Sequence, residues 1–89
     1  MDFKFADNYL DETNVKKSAM REGAGLGLAE LGAEHADVIL VGADTIESCR
    51  GHHFAEKFPD RTVQVGVAEQ NLIGVCAGLA YEGKVPFGM

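Results

Sequence analysis

The chain has 89 residues, 46% of them hydrophobic and 25% charged, with a formal net charge of -6 at pH 7. That length allows one small domain, because so short a chain buries a smaller share of its surface than a full-sized domain does, and the ordinary hydrophobic content excludes wholesale disorder. The acidic balance and the scattering of the eight basic residues exclude a nucleic-acid backbone as partner, since such binding rests on clustered Lys and Arg.

Positions 1–12 mix Phe3, Phe5, Tyr9 and Leu10 with Asp2, Asp7, Asn8, Asp11 and Glu12 without a clean period, and are expected to form an arm or linker before a domain at 13–89. The opening Met1-Asp2-Phe3-Lys4 lacks a secretory leader's basic-then-apolar order, and no apolar run approaches the roughly 20 residues that cross a bilayer. No membrane partner and a cytoplasmic location are therefore expected. Thr13 or Asn14 can cap a helix, and Val15, Ala19, Leu26, Ala29 and Leu31 recur so as to share a face, which predicts a helix over Val15 to Leu31. Gly23, Gly25 and Gly27 inside it each cost about 1 kcal/mol relative to Ala, pointing to close packing against another backbone, and Gly32 is the expected stop.

The run Asp37 to Asp44 is apolar and β-branched up to its closing carboxylate, the pattern of a parallel strand covered on both faces. A loop over Thr45 to Gly51 leads to a short helix around His52 to Phe58, and Phe58-Pro59-Asp60-Arg61 marks the return to a second strand, Thr62 to Ala68, followed directly by Glu69. Asn71 to Tyr81 reads as a helix closed by Gly83, and Val85-Pro86-Phe87 opens a third strand. Such alternation predicts an α/β fold: a partial doubly wound parallel sheet of about three strands with flanking helices, and ligands beyond the carboxyl ends of the strands, where Asp44 and Glu69 lie. The sequence reaches Met89 as the third strand begins, so an open sheet edge is expected. Cys49 and Cys76 have no Cys-x-x-Cys spacing and are expected to be free thiols. Cys49, His52 and His53 lack a fourth ligand at metal-binding spacing, and no metal site is expected on this chain.

The most specific stretch is Phe58-Pro59-Asp60-Arg61, then Val65-Gly66-Val67-Ala68-Glu69-Gln70-Asn71-Leu72-Ile73-Gly74, then Ala77-Gly78-Leu79-Ala80 and Gly83-Lys84-Val85-Pro86-Phe87. With Ala19-Met20-Arg21-Glu22 and Val41-Gly42-Ala43-Asp44, it closely resembles the pyrimidine-binding domain of the transketolase family over roughly Val15 to Phe87. The likeness is sharpest to the separately encoded C-terminal subunit of split transketolases. Deoxyxylulose-phosphate synthase is related, but there a His usually follows the Gln, where this chain has Asn71.

The resemblance implies the first half of a domain of the thiamine-diphosphate-binding fold, from a parent enzyme that transfers a two-carbon ketol unit between sugar phosphates. The glutamate matching Glu69 is the family's catalytic, cofactor-binding carboxyl: it exchanges a proton with N1′ of the aminopyrimidine, acting as general acid/base while the cofactor provides the electron sink. It is expected to stand sheltered at a strand tip. The residues alone favour a plainer reading of Glu69, a carboxylate capping the helix that begins at Gln70 or Asn71. Arg21 matches the arginine, and Ser48 the serine, that hold the phosphate of the sugar, which suits a guanidinium fork and a hydroxyl. An exposed helical arginine paired with Glu22, and an ordinary loop serine, are the plainer readings. Asp44 matches a strand-end aspartate near the substrate, and Asp44-Thr45 also suits simple turn chemistry.

The resemblance further implies that the diphosphate and Mg2+ are held by a diphosphate-binding N-terminal subunit or domain, in a homo-oligomer, and that this chain alone is inactive. The diphosphate-binding domain's Gly-Asp-Gly motif does not occur in this sequence. Two other readings are a non-catalytic interaction module using the open sheet edge and apolar helices, and a piece of deoxyxylulose-phosphate synthase.

Overall fold

The structure is a computed structural model that describes residues 4–89; the first three positions of the expected N-terminal arm lie outside the described residues. Its central element is strand β1, Val38–Gly42, in which every residue is buried. Side chains alternate across a strand, and here the alternation sorts the core into two clusters. Val38 and Leu40 meet Leu28 and Phe54 on one face. Ile39 and Val41, continued by Ala43, meet Leu72 on the other. Leu28 comes from helix α1, Met20–Glu34, Phe54 from the short helix α2, His52–Lys57, and Leu72 from helix α3, Glu69–Tyr81. Burial of each large apolar side chain contributes about 1.5–3 kcal/mol, so this strand with its two covers accounts for most of the hydrophobic stabilisation.

Strands β2, Thr62–Gln64, and β3, Val85–Gly88, flank β1 in the order β2-β1-β3, and both pair with it in parallel. The predicted parallel α/β sheet of three strands is therefore present, with helices on both faces. The flanking strands are far less covered than the centre: Val63, Val85 and Phe87 all count among the exposed large hydrophobics. Among the described residues no helix is long and apolar enough to cross a membrane.

Several boundaries differ from the predicted ones, each for a local reason. α1 starts at Met20 rather than Val15, because Asp11 captures the preceding segment: its carboxylate accepts from the backbone N–H groups of Thr13 and Asn14 and from Asn14 Nδ2 at 2.7 Å. Side chains of this kind offer the backbone an alternative to the helix, and Ala19 then enters α1 in extended conformation. Gly32 does not end α1. It is buried within the helix because a Cβ there would strike the Phe54 ring. Of the three glycines expected to touch a neighbouring backbone, Gly25 does, against Arg50, while Gly23 and Gly27 meet nothing. β2 stops at Gln64 because Gly66 turns the chain at φ 77, where Ala68 N–H donates to the Gly66 carbonyl at 2.8 Å.

Arg61 closes the far end of α1. Its Nη2 donates to the Gly32 carbonyl at 2.8 Å, and its Nη1 to the carbonyls of His35 at 2.9 Å and Val38 at 3.3 Å. The guanidinium also lies over the Phe58 ring, 4.0 Å from its centroid. One side chain thus satisfies carbonyls left over at a helix end while joining α1, β1 and the entry to β2. Arg61→Leu is expected to lower the unfolding free energy by roughly 2–3 kcal/mol, read as a lower urea midpoint at constant slope. Arg61→Lys should recover less than half, since an ammonium lacks the planar fork. A midpoint unmoved by Arg61→Leu would remove this residue from the fold's supports.

Candidate functional site

The three-residue link His35–Asp37 sends α1 back antiparallel to β1, so the first turn of α1 lies at the carboxyl end of the sheet. The loop after β1, the end of β2 and the first turn of α3 meet the same edge, where ligands of open parallel sheets gather. All four sequence-predicted site residues, Arg21, Asp44, Ser48 and Glu69, belong to this rim.

Arg21 and Ser48 are brought together: Arg21 Nη1 donates to the Ser48 carbonyl at 3.3 Å. The exposed Ser48 hydroxyl donates to the Thr45 carbonyl at 3.0 Å, which commits its proton to the loop. Arg21 does not pair with Glu22. Asp44 has a left-handed backbone, φ 63, and its N–H donates to Gln64 Oε1 at 2.6 Å. Gln64 also accepts from Gly66 N–H at 3.3 Å, so one amide side chain ties the end of β1 to the turn after β2. The Asp44 carboxylate bonds to no backbone group of its own turn among the described residues and is exposed on the rim. Thr45 Oγ1 donates to the Met89 carbonyl at 2.6 Å, and Met89 N–H donates to Val41 at 2.9 Å, pinning β3 to the same edge.

Glu69 is the first residue of α3 and is exposed. The expected shelter at a strand tip is not provided by these residues, because β2 ends before the Gly66 turn and the carboxyl sits on the helix instead. No side chain caps α3, and a carboxylate in its first turn is favourably placed. No hydrogen bond or ion pair joins Glu69 to another described residue, nor does one link it to Arg21, Ser48 or Asp44. Glu69 is therefore an exposed carboxylate without a bonding partner among the described residues.

Sequence reasoning missed a second group beside Arg21. Glu22 takes His53 Nε2 on one oxygen at 2.7 Å and Arg50 Nε on the other at 3.3 Å. The His53 hydrogen bond, opposed by desolvation and helped by the nearby charges of His53, Arg50 and His52, holds the Glu22 carboxyl below the ordinary glutamate range. The His52 ring lies 4.1 Å from that of His53, and its Nδ1 is buried without a hydrogen-bond partner. Nothing in the local sequence announces this cluster, since its members come together only when α2 docks on α1. Among the described residues no three His, Cys, Asp or Glu side chains gather to hold a metal ion. Two concave surfaces lie away from the rim, one lined by Asp7 to Asp11 and another by Leu31, His35, Asp37, Val38 and Val85 at the opposite end of the strands. The rim is a shelf carrying the exposed carboxylates of Asp44 and Glu69, neither bonded to a described residue, and the guanidiniums of Arg21 and Arg50.

Comparison with known proteins gives this shelf a context. Residues 16–89 match the family described as transketolase, pyrimidine binding domain. The chain is 46% identical over 68 residues to a transketolase C-terminal section of Methanocaldococcus jannaschii, covering 76% of this chain and 22% of that protein. It is 40% identical over 60 residues to a 6-deoxy-6-sulfo-D-fructose transketolase subunit of Clostridium sp., covering 67% of this chain and 19% of that one. A 1-deoxy-D-xylulose-5-phosphate synthase of Dictyoglomus turgidum is 36% identical over 75 residues, 84% of this chain and 12% of the synthase. The chain thus spans about a fifth of the length of the first two relatives and less of the third.

Because the folded-state pKa of Glu22 is depressed, its ion pairs stabilise the chain above the ordinary glutamate range, and that contribution disappears as pH falls through the depressed value. Glu22→Gln is expected to lower the urea midpoint at neutral pH and to match the parent once both are well below the carboxylate range. Two midpoint curves that stay parallel at every pH would contradict this.

Proposed function

The chain belongs to the transketolase pyrimidine binding domain family, and on that premise we propose that it supplies the pyrimidine-facing side of a thiamine-diphosphate site in a transketolase acting on sugar phosphates. The observation that carries this reading is the exposed, unpartnered Glu69 carboxylate in the first turn of α3 at the carboxyl edge of the sheet. A carboxylate with no protein partner can receive a ring nitrogen as its partner, and Leu72, buried against β1 in the same helix, fixes where it stands. The part of Glu69 is to hold and return a proton at that nitrogen. When bound, the cofactor supplies the electron sink for moving a two-carbon ketol unit.

The shelf fits the aminopyrimidine end of the cofactor and not its diphosphate, for which the described residues offer no metal-ligand group. The diphosphate and Mg2+ are assigned to a separate diphosphate-binding N-terminal subunit. The names of two relatives, a C-terminal section and a subunit, support such a division of the enzyme. Closure by that partner, within a homo-oligomer in the cytoplasm, would give Glu69 the shelter that this chain does not. On this reading the chain alone is inactive. Arg21, braced on Ser48, takes the phosphate of the sugar, with the Ser48 hydroxyl beside it and Asp44 at the mouth. Asn71 after Gln70 favours ketol transfer over deoxyxylulose-phosphate synthesis.

In a full-length parent enzyme that contains this segment, assembled with its diphosphate-binding subunit, Glu69→Gln is expected to cut turnover by roughly 10²–10⁴-fold, while the far-ultraviolet circular dichroism stays unchanged because the side chain is exposed. Unchanged turnover would remove Glu69 from the mechanism. Arg21→Ala should raise KM for phosphorylated sugars by about tenfold or more and leave kcat and the handling of non-phosphorylated donors nearly as they were. Equal losses on both substrate types would take Arg21 off the phosphate.

A further inference from the structure

Arg50 is held in an unusual way. Its backbone has φ 64, a left-handed conformation that L side chains seldom adopt, and its carbonyl is lodged against Gly25 of α1 so closely that a Cβ at that glycine would overlap it. Glycine at position 50 would avoid that strain. Among the described residues the side chain makes one ion pair, from Nε to Glu22 at 3.3 Å, with the Arg50 side chain 41% exposed. An exposed pair of this kind is weak and does not account for an arginine in that conformation.

The arrangement leaves donors free. Glu22 grips Nε, and its second oxygen is occupied by His53, so neither Nη group of Arg50 is bonded to a described residue. Arg21, the neighbour of Glu22 in α1, spends Nη1 on the Ser48 carbonyl in the same loop and keeps Nε and Nη2 free. Two guanidiniums are thus anchored, by adjacent helix residues, to either side of the short turn over Ser48, Cys49 and Arg50. Glu22 is the carboxylate beside them, already shared by Arg50 and His53.

The geometry points to Arg50 as a second guanidinium of the substrate's anionic end, completing with Arg21 a two-forked clamp for a tetrahedral dianion such as a sugar phosphate. Paired forks fit the several oxygens of that group better than one arginine and one hydroxyl. The assignment rests on the reading of Arg21 as the phosphate residue and adds the group that fixes specificity for a doubly charged end. Glu22, with His53, acts as a positioning residue that aims the Arg50 fork.

Inorganic phosphate titrated into the full chain, followed by NMR at the arginine Nε–Hε groups with chloride at matched ionic strength as control, tests this directly. Saturable movement of both the Arg21 and Arg50 signals is expected, absent with chloride. Arg50→Gly, which suits the left-handed backbone, should weaken phosphate binding about tenfold while the urea midpoint holds or rises, and Arg50→Lys should fall between. If the Arg21 signal moves and the Arg50 signal does not, or Arg50→Gly binds phosphate like the parent, the second fork is wrong and the reading of Arg21 survives. If neither signal moves, both fall, whatever the Glu69 variants do.

Discussion

The burial of β1 on both faces is the constraint from which the rest of the molecule follows. Val38 and Leu40 look one way and Ile39 and Val41 the other, so a single five-residue strand needs α1 and α2 on one side and α3 on the opposite side. Once those covers are in place, the amino ends of α1 and α3 stand at the carboxyl end of the sheet. The rim is then a by-product of core packing. Its residues can be polar and exposed because the apolar requirement has been met one layer below them, which is why binding groups concentrate on the connections of a rigid scaffold.

The end of β1 carries a second constraint with a direct bearing on the site. Gly42 is buried beneath Ile46, which occupies the space where a side chain at position 42 would stand, and Gly51 lies close to Leu40, Ile46 and Met89. Two glycines therefore let the loop between them fold down on the strand that it leaves. Ile46 acts as the anchor, and Ser48 and Arg50 are displayed above it. The left-handed backbones of Asp44 and Arg50 bracket this loop. A loop fastened at both ends and through its middle holds its polar groups within narrow limits, as a binding shelf requires.

Much of this was legible in the sequence, and the exceptions have physical causes. The continuous apolar run at 38–41 announces a strand covered twice, and the alternation of elements announces a parallel sheet; both depend on near neighbours in the chain. Glu69 stood out because its surrounding wording is specific. The start of α1 was misplaced because Asp11, outside the periodic segment, competes for the backbone of Thr13 and Asn14. Gly32 looked like a helix end and is instead the seat of an aromatic ring from α2. Arg61 and the Glu22, His53 and Arg50 group were invisible for the same reason. Their partners lie far away in the chain, and an arginine between a Pro-Asp turn and a strand reads as solvated until the helix it serves is seen beside it.

The exposure of Glu69 bears on how a site of the proposed kind is put together. A lone carboxylate buried in a protein interior would carry a large desolvation cost in the folded chain, and folding would have to absorb it. On an open shelf that cost is absent from the folded chain. On the proposed reading the cost would arise only when a second surface closed over the rim, where a protonated ring nitrogen would take the carboxylate as a partner. Shelter, cofactor and subunit would then arrive together, and the free energy of closing the interface would be coupled to that of binding the cofactor. A carboxyl already walled in by its own domain would give no such coupling. An open rim on the half that bears the carboxyl is therefore the arrangement expected of a site assembled between two chains.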